Sequence, residues 1–430
     1  LVGSEMCIRD SACRQHGVSA LPAHINPVNS LAVTSLASSP PTPARLWTAA
    51  AWPAAVVLVF HRVVVLAFTG TVTDDFGTVY RAIRRFWEGA PVYEQDYSSV
   101  EPLYLYNPGA TALLSPMGIV SEEHARYAFI LANAVAIIAA LALLTRYVGH
   151  SLRGPVLPIS IAAAFASESV INTLVFTNIN GLLLLALVTF LALLEKHGWA
   201  AGLCIGLAIL IKPQFAPLLF LALVRTRWWA LGLGLALPIT ANLIAWPLVP
   251  GSEGFRDHLL PYLSTTRDYA NASWPGVKAY FDMPGALYYP IWLLFAVLCA
   301  VAILGLLRWR DSEPEFWALS TTGIIMAGIF FLSSLGQQYY SMWLFPMMFT
   351  VLLHRSVFHT WGAWLAAFLF LAPFEWTSTS MPTAAHWMSV FIATIGWGLL
   401  IVVTAASVVG WWISERNGSP KTEKSDKIPA

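Results

Sequence analysis

The chain of 430 residues is 57% hydrophobic and only 11% charged, against roughly 25% charged residues in a typical soluble domain. A soluble core cannot hide that much apolar surface, whereas a bilayer can, and nineteen Trp and fourteen Tyr provide anchors for two lipid–water interfaces. A formal net charge of +1 without any basic run offers nucleic acid nothing to bind, and four scattered cysteines without CxxC or Cys/His spacing imply neither a zinc site nor a disulfide framework.

Residues 1–46 lack a consistent period and pass into a Pro/Ser/Ala-rich stretch, which predicts a disordered N-terminal tail. No apolar run precedes Trp47, so a signal peptide is not expected. Apolar stretches long enough to cross a membrane follow near 47–70, 107–121, 124–148, 155–174, 178–195, 199–224, 228–249, 288–307, 315–335, 338–354, 357–374 and 387–413. They predict an all-α polytopic membrane protein of eleven or twelve transmembrane helices, with a membrane domain over 47–414 and a cytoplasmic tail over 415–430. The second stretch is short and holds Pro108 and Pro116, and the sixth is broken at Lys212-Pro213. Such a break persists in a membrane only where protein or water satisfies the freed backbone groups.

Arg225, Arg227, Arg308, Arg310, Arg355 and the tail SERNGSPKTEKSDK mark the cytoplasmic side. The opposite face then receives a first external loop (71–106), a second long loop (250–287), and the short segments 336–338 and 375–386. Arg146 and Arg153 run against this assignment, since twelve crossings would place them outside.

The first external loop predicts an interfacial helix. Phe76, Val79, Tyr80, Ile83, Phe86 and Trp87 fall on one face and Arg81, Arg84, Arg85 and Glu88 on the other. Thr73 or Asp74 can cap its start, and Gly89 with Pro91 stops it. Its aromatic face is expected to sink into the headgroup boundary. Capping and the helix dipole suffice to account for an acidic pair, Asp74 and Asp75, at the first turn. The same position keeps a carboxylate ionised beside arginines at the bilayer edge, ready to accept a proton. Glu94, Asp96 and Glu101 read as solvated loop charges.

Further along, a lysine inside an apolar span is costly and marks a functional site unless it snorkels to the interface. Lys212 is therefore read as lining a pocket for an anionic group, a phosphate first of all. Asn178 and Asn180 open an apolar span just after Glu168 and Asn172. Two amides two residues apart do not share a helix face, so both serve only if the backbone is irregular. The segment DYANASWPGVKAYFDMPG (268–285) mixes aromatic and hydrogen-bonding side chains, which suits a sugar as well as any interfacial loop. GQQYYSMWLFP (336–346) places Gln337, Gln338, Tyr339 and Tyr340 at an outer membrane edge.

Taken in order, DDFGTVYRAIRRFWEGAPVY (74–93), YNPGATALLSPMG (106–118), TNINGLLLLAL (177–187), GLAILIKPQFAPLL (206–219) and NASWPG (271–276) make the chain resemble the polyprenyl-phosphate-sugar-dependent glycosyltransferases of family 87. That resemblance implies a GT-C-type fold. Within the family, VEPLYLYNPGA and the NASWPG loop are most similar to the arabinofuranosyltransferase branch, whose members add α-(1→3)-linked arabinofuranose to cell-envelope arabinan. It implies a donor such as decaprenyl-phosphoryl-arabinose, a cell-envelope polysaccharide or glycolipid acceptor (arabinogalactan or lipoarabinomannan arabinan), and membrane lipids around the chain. No metal or other cofactor is implied, and the active site is expected on the external face of the plasma membrane.

By the same resemblance Asp75 matches the first-loop catalytic aspartate, with Asp74 as its alternate. Lys212 matches the lysine of the family's K-P motif, and either Lys212 or the Arg81, Arg84 and Arg85 face is expected to bind the donor phosphate. Asn178 stands where the family commonly has Gln, Asn180 matches its Asn, and Gln338 stands where many members have His before the aromatic pair. Asn178, Asn180, Asn271, Ser273, Trp274, Gln338 and Tyr339 are the expected substrate-binding residues. A polyprenyl-phosphate-mannose-dependent mannosyltransferase is the nearest alternative. A transporter or flippase of a lipid-linked sugar is another, although it needs ionisable residues through several spans, where chiefly Lys212 and Glu168 are found. A structural scaffold is a third; it would have no reason to combine two acids and three arginines on one interfacial helix.

Overall fold

The computed structural model describes residues 43–70, 74–98 and 102–418, and within these the regular structure is helical. Apolar runs become helices because a helix satisfies its own backbone groups where lipid cannot. Helix α1 (Pro43–Phe60) continues through a π-helical stretch, His61–Phe68. It is followed by α2 (Asp74–Glu88), α3 (Pro108–Leu114), α4 (Glu122–Tyr147), α5 (Val156–Ala166) and α6 (Glu168–Val175). Next come α7 (Asn180–Leu193), α8 (Gly198–Ile211), α9 (Leu219–Val224), α10 (Trp228–Ala245), α11 (Leu260–Ser264) and α12 (Trp274–Phe281). The chain closes with α13 (Gly285–Leu306), α14 (Pro314–Leu332), α15 (Phe345–Met348), α16 (Trp361–Leu371) and α17 (Pro382–Gly418).

The expected boundaries shift at both ends. The tail predicted over 1–46 is helical from Pro43 onward, and the rest of it lies outside the described residues. α17 runs past 414 to Gly418. Glu415, expected at the start of a free tail, accepts hydrogen bonds from Arg308 (2.6 Å) and Arg355 (3.0 Å).

Among the described residues six helices are long and apolar enough to cross a membrane, and α5 with α6, bent by 65°, supplies a seventh. This is fewer than the eleven or twelve expected. The remaining apolar stretches are short, broken, or turn back. Two of them settle the path of the chain. Glu195, just past α7, accepts from Arg225 Nε (2.5 Å) at the far end of α9 and also pairs with Arg227. The start of α8 and the end of α9 therefore lie at the same end of the bundle. Between them the chain goes out along α8 and back along the 3-10 turn Pro213–Leu218 and α9, each arm about 20 Å long. The expected crossing at 199–224 is thus a re-entrant hairpin, and Lys212 sits at its tip.

The expected crossing at 107–121 also turns back. Trp87 Nε1 of α2 donates to the Ser115 carbonyl, and Tyr80 Oη donates to the Val120 carbonyl, both at 2.7 Å. The chain enters at Asn107, runs along the seven-residue α3 and returns beneath α2. α4 then leads to the opposite end, where Tyr147 lies within electrostatic reach of Glu195 and Arg225. Arg146 and the loop carrying Arg153 follow it there, so the two dissenting arginines join the cationic end. That end is laced by Arg225–Asp311 (2.7 Å), Arg308–Glu415 (2.6 Å) and Arg355–Glu313 (3.1 Å).

The first-loop helix forms as predicted and stops at Gly89, whose φ of +69° a side chain would disfavour. Its aromatic stripe, however, does not face headgroups. Phe76 and Ile83 are buried, Phe76 packs 6.0 Å from Phe129 of α4, and the 115–119 turn covers the rest. The re-entrant segment offers an apolar surface of the protein's own, and only Trp87, 52% exposed, reaches past it.

Candidate active site

Asp75, on the first turn of α2, lines a cavity of about 560 Å³. The other walls come from Pro102, residues 270–272, residues 337–339, Ser389 and Val390, with Glu168 and Phe176. Three of the four segments expected on one face of the membrane (71–106, 250–287 and 336–338) thus converge on one hollow, at the end of the bundle opposite the cationic network.

Lys212 reaches this place from below. Its φ of −134° and ψ of 100° end α8, because Pro213 cannot donate a backbone hydrogen bond. The carbonyls released at the end of a helix need partners. Asn107 supplies one, donating from Nδ2 to the Leu210 carbonyl (2.6 Å), while its Oδ1 caps α3 through Ala110 N. The Gly109 amide in turn donates to Asn242 Oδ1 of α10 at 3.0 Å. The YNPGA stretch is therefore a plug that seals the break beside the lysine.

The ammonium of Lys212 donates to Asn180 Oδ1 at 2.9 Å. It lies 4.3 Å from the centroid of the Tyr340 ring, 5.2 Å from Trp343 and 6.0 Å from Tyr339, within the range where a cation is attracted to an aromatic face. Asp75 is within electrostatic reach of Lys212, Tyr106, Tyr339 and Tyr340. Carboxylate and ammonium therefore act on one site, with Tyr339 both lining the cavity and lying near the ammonium.

Asn180 is held by a residue the sequence did not single out. Asn133, buried in α4, accepts from the Gly181 and Leu182 amides (2.9 and 3.2 Å), capping α7 from a neighbouring helix. A side chain on Gly181 would collide with that cap, its Cβ meeting Asn133 oxygens at 2.8 Å. Nothing local in the sequence marks such a cap. Asn178, by contrast, turns its Oδ1 to the Ile179 amide (2.9 Å), and the irregular backbone comes from Thr177 at φ 51°. Of the two amides, only Asn180 meets the lysine.

Arg81, Arg84 and Arg85 do not line the Asp75 cavity, so its lining gives no support to the expectation that their face holds the donor phosphate. Arg84 bonds the Gly118 carbonyl and Glu88, Arg85 bonds the Pro91 and Glu94 carbonyls, and Arg81 bonds Thr78. Their guanidinium groups are engaged by the polypeptide around α2 itself. The side chain of Asp74, together with Thr73 and Glu101, lies outside what the structure describes.

The NASWPG residues also act differently from the expectation. Asn271 is buried, donates to the Arg267 and Ser334 carbonyls, and accepts from the Ser273 and Gly336 amides. Ser273 caps α12 by accepting from Gly276 N at 3.0 Å. Trp274 is stacked parallel to Tyr288 and Phe331 and donates to the Tyr288 carbonyl. The polar atoms of Ser273 and Trp274 are thus used within the protein and neither residue lines the Asp75 cavity, whereas Asn271 does. Gln338 and Tyr339 do line the cavity. Glu168, which the sequence reading noted only as an intramembrane acid, lines it too.

This arrangement offers a carboxylate able to take a proton and, a short distance away, a cation able to balance a leaving anion. Residues 104–334 match the profile of Glycosyltransferase family 87. The chain belongs to glycosyltransferase family 87. With its apolar helices it is a multi-pass membrane glycosyltransferase. It is 52% identical, over 89% of its length and 94% of the relative's, to the alpha-(1->3)-arabinofuranosyltransferase of Corynebacterium glutamicum. It is 39% identical to the protein of that name from Mycolicibacterium smegmatis (85% of this chain, 86% of the relative) and 40% identical to that from Mycobacterium tuberculosis (85% of each). The family match begins beyond Asp75, whereas an alignment covering 89% of the chain leaves too few residues at either end to omit it.

Proposed function

We propose that the chain transfers an arabinofuranosyl residue, in α-(1→3) linkage, from a polyprenyl phosphate such as decaprenyl-phosphoryl-arabinose to a cell-envelope glycan at the outer face of the plasma membrane. The observation that carries this reading is the 52% identity to a named alpha-(1->3)-arabinofuranosyltransferase over nearly its whole length. The pairing of Asp75 with the Lys212–Asn180 contact at one site supports the mechanism.

In that mechanism an acceptor hydroxyl attacks the anomeric carbon and its proton passes to the Asp75 carboxylate as general base. The bond between the anomeric carbon and the phosphate oxygen breaks, and the polyprenyl phosphate leaves with the electron pair. Lys212, fixed by Asn180 and faced by aromatic rings, offsets the growing charge on the phosphate. The external location is supported by the network of Arg225–Asp311, Arg308–Glu415 and Arg355–Glu313 at the end of the bundle away from Asp75.

Purified protein given lipid-phospho-arabinose and lipid-phospho-mannose side by side tests the proposal. Arabinose transfer with a 1→3 linkage in the product supports it. Mannose transfer alone replaces it with the hexosyl reading.

A further inference from the structure

A second chamber, of about 570 Å³, adjoins the Asp75 cavity and shares Glu168, Gln338 and Ser389 with it. Its outer wall is the non-helical segment 373–377 between α16 and α17, where Phe374, Glu375 and Thr377 are exposed. Ser389 Oγ donates to the Trp376 carbonyl at 3.2 Å and ties this segment to α17. Nothing in the mechanism above uses this chamber.

Glu168 is its most informative residue. Its Oε1 accepts from Asn172 Nδ2 at 2.6 Å, while Oε2 is buried without a hydrogen-bond partner among the described residues. Buried polar atoms are nearly always partnered, so an orphan carboxyl oxygen on a chamber wall points to a missing hydrogen-bond partner. A ligand hydroxyl, which both donates and accepts, is such a partner. The chamber also holds Trp376, an aromatic surface of the kind sugar rings pack on, with the amides of Asn172 and Gln338.

Charge and access decide which substrate fits. The chamber has two carboxyl groups, Glu168 and Glu375, and one guanidinium, Arg62, whose Nε is engaged by the Phe165 carbonyl. An anionic phosphate gains little there, whereas a neutral polyol gains acceptors and donors. A prenyl chain must arrive through lipid, but a polysaccharide must arrive through water, and the exposed 373–380 segment frames the chamber on its watery side.

We propose that this chamber binds the terminal sugars of the acceptor glycan, Glu168 Oε2 hydrogen-bonding one sugar hydroxyl and Trp376 covering a ring, so that the attacking hydroxyl is presented past Gln338 to Asp75. The proposal rests on the glycosyl-transfer reading above and assigns the half of the substrate pair that Lys212 does not address.

The test uses the full chain in nanodiscs, an octyl di-arabinofuranoside as acceptor probe, and polyprenyl-phosphoryl-arabinose as donor. Acceptor and donor KM are measured separately, and probe binding without donor is followed by saturation-transfer NMR. Glu168→Gln and Trp376→Ala should raise the acceptor KM at least tenfold and leave the donor KM within twofold. Thr377→Trp, at an exposed position that folding tolerates, should obstruct the chamber and act in the same direction. A rise in donor KM alone would make this the donor's chamber and overturn the proposal, as would no change in either. Probe binding by the wild type that these variants lose would sustain it even if arabinose transfer itself were not found. Absence of probe binding by the wild type would end it.

Discussion

Lys212 Nζ and Asn180 Oδ1 are 2.9 Å apart, and this contact joins the tip of a re-entrant hairpin to the first residue of α7. The Asn180 carbonyl also accepts from Trp343 Nε1 (3.2 Å), so one residue orients both the cation and the aromatic wall beside it. A hydrogen bond to a charged group contributes about 1.5–3 kcal/mol. Asn180→Ala should therefore raise the donor KM about tenfold, by RT ln 10, with the acceptor KM little changed. Lys212→Met should do more in the same direction. Donor titrations at fixed acceptor give the answer, and an unaltered donor affinity in Lys212→Met would remove the lysine from the phosphate site.

Asp75 stands on the wall of the cavity and within the field of Lys212. Asp75→Asn keeps the shape and removes the base. Turnover should fall by about 10²–10⁴, the range typical of general-base loss, with donor binding preserved. Single-turnover assays with labelled donor measure both quantities, and near-normal turnover would rule out the aspartate as base.

Asn271 satisfies four backbone groups, pinning the 267–273 segment to 334–336. Asn271→Ala leaves several of them buried and unpartnered, at a cost of about 3 kcal/mol. The melting temperature should drop while the folded fraction keeps both KM values. A raised KM with unchanged melting would instead make Asn271 a direct substrate ligand.

The re-entrant path predicts sidedness directly. In a cysteine-free background, His150→Cys and Thr226→Cys should label from one side of the membrane, and Glu253→Cys and Ser378→Cys from the other. All four positions are exposed. Labelling of position 150 together with 253 would restore a full crossing at 107–121.

Much of the candidate site is legible in the sequence. The acid pair at the head of an amphipathic helix, the intramembrane lysine before a proline and the Gln-Gln-Tyr-Tyr run each carry a local signal. Asp75, Lys212, Gln338 and Tyr339 do converge. Ser273 caps a helix and Trp274 stacks on Tyr288 and Phe331, contacts that the sequence alone does not distinguish from sugar binding. Asn133 and Glu168 were missed or undervalued because their importance lies in partners 48 positions away or in a partner that is lacking.

Composition called for a membrane, and continuous apolar runs of about 20 residues, in place of the short alternating strands of a barrel, called for helices. Run length could not say whether a segment crosses or turns back. That choice depends on distant contacts: Asn107 satisfies the Leu210 carbonyl at the break, and Glu195 pairs with the side chains of Arg225 and Arg227 after α9. It was made by contacts between residues 30 to 103 positions apart, and those exist only once the chain is folded.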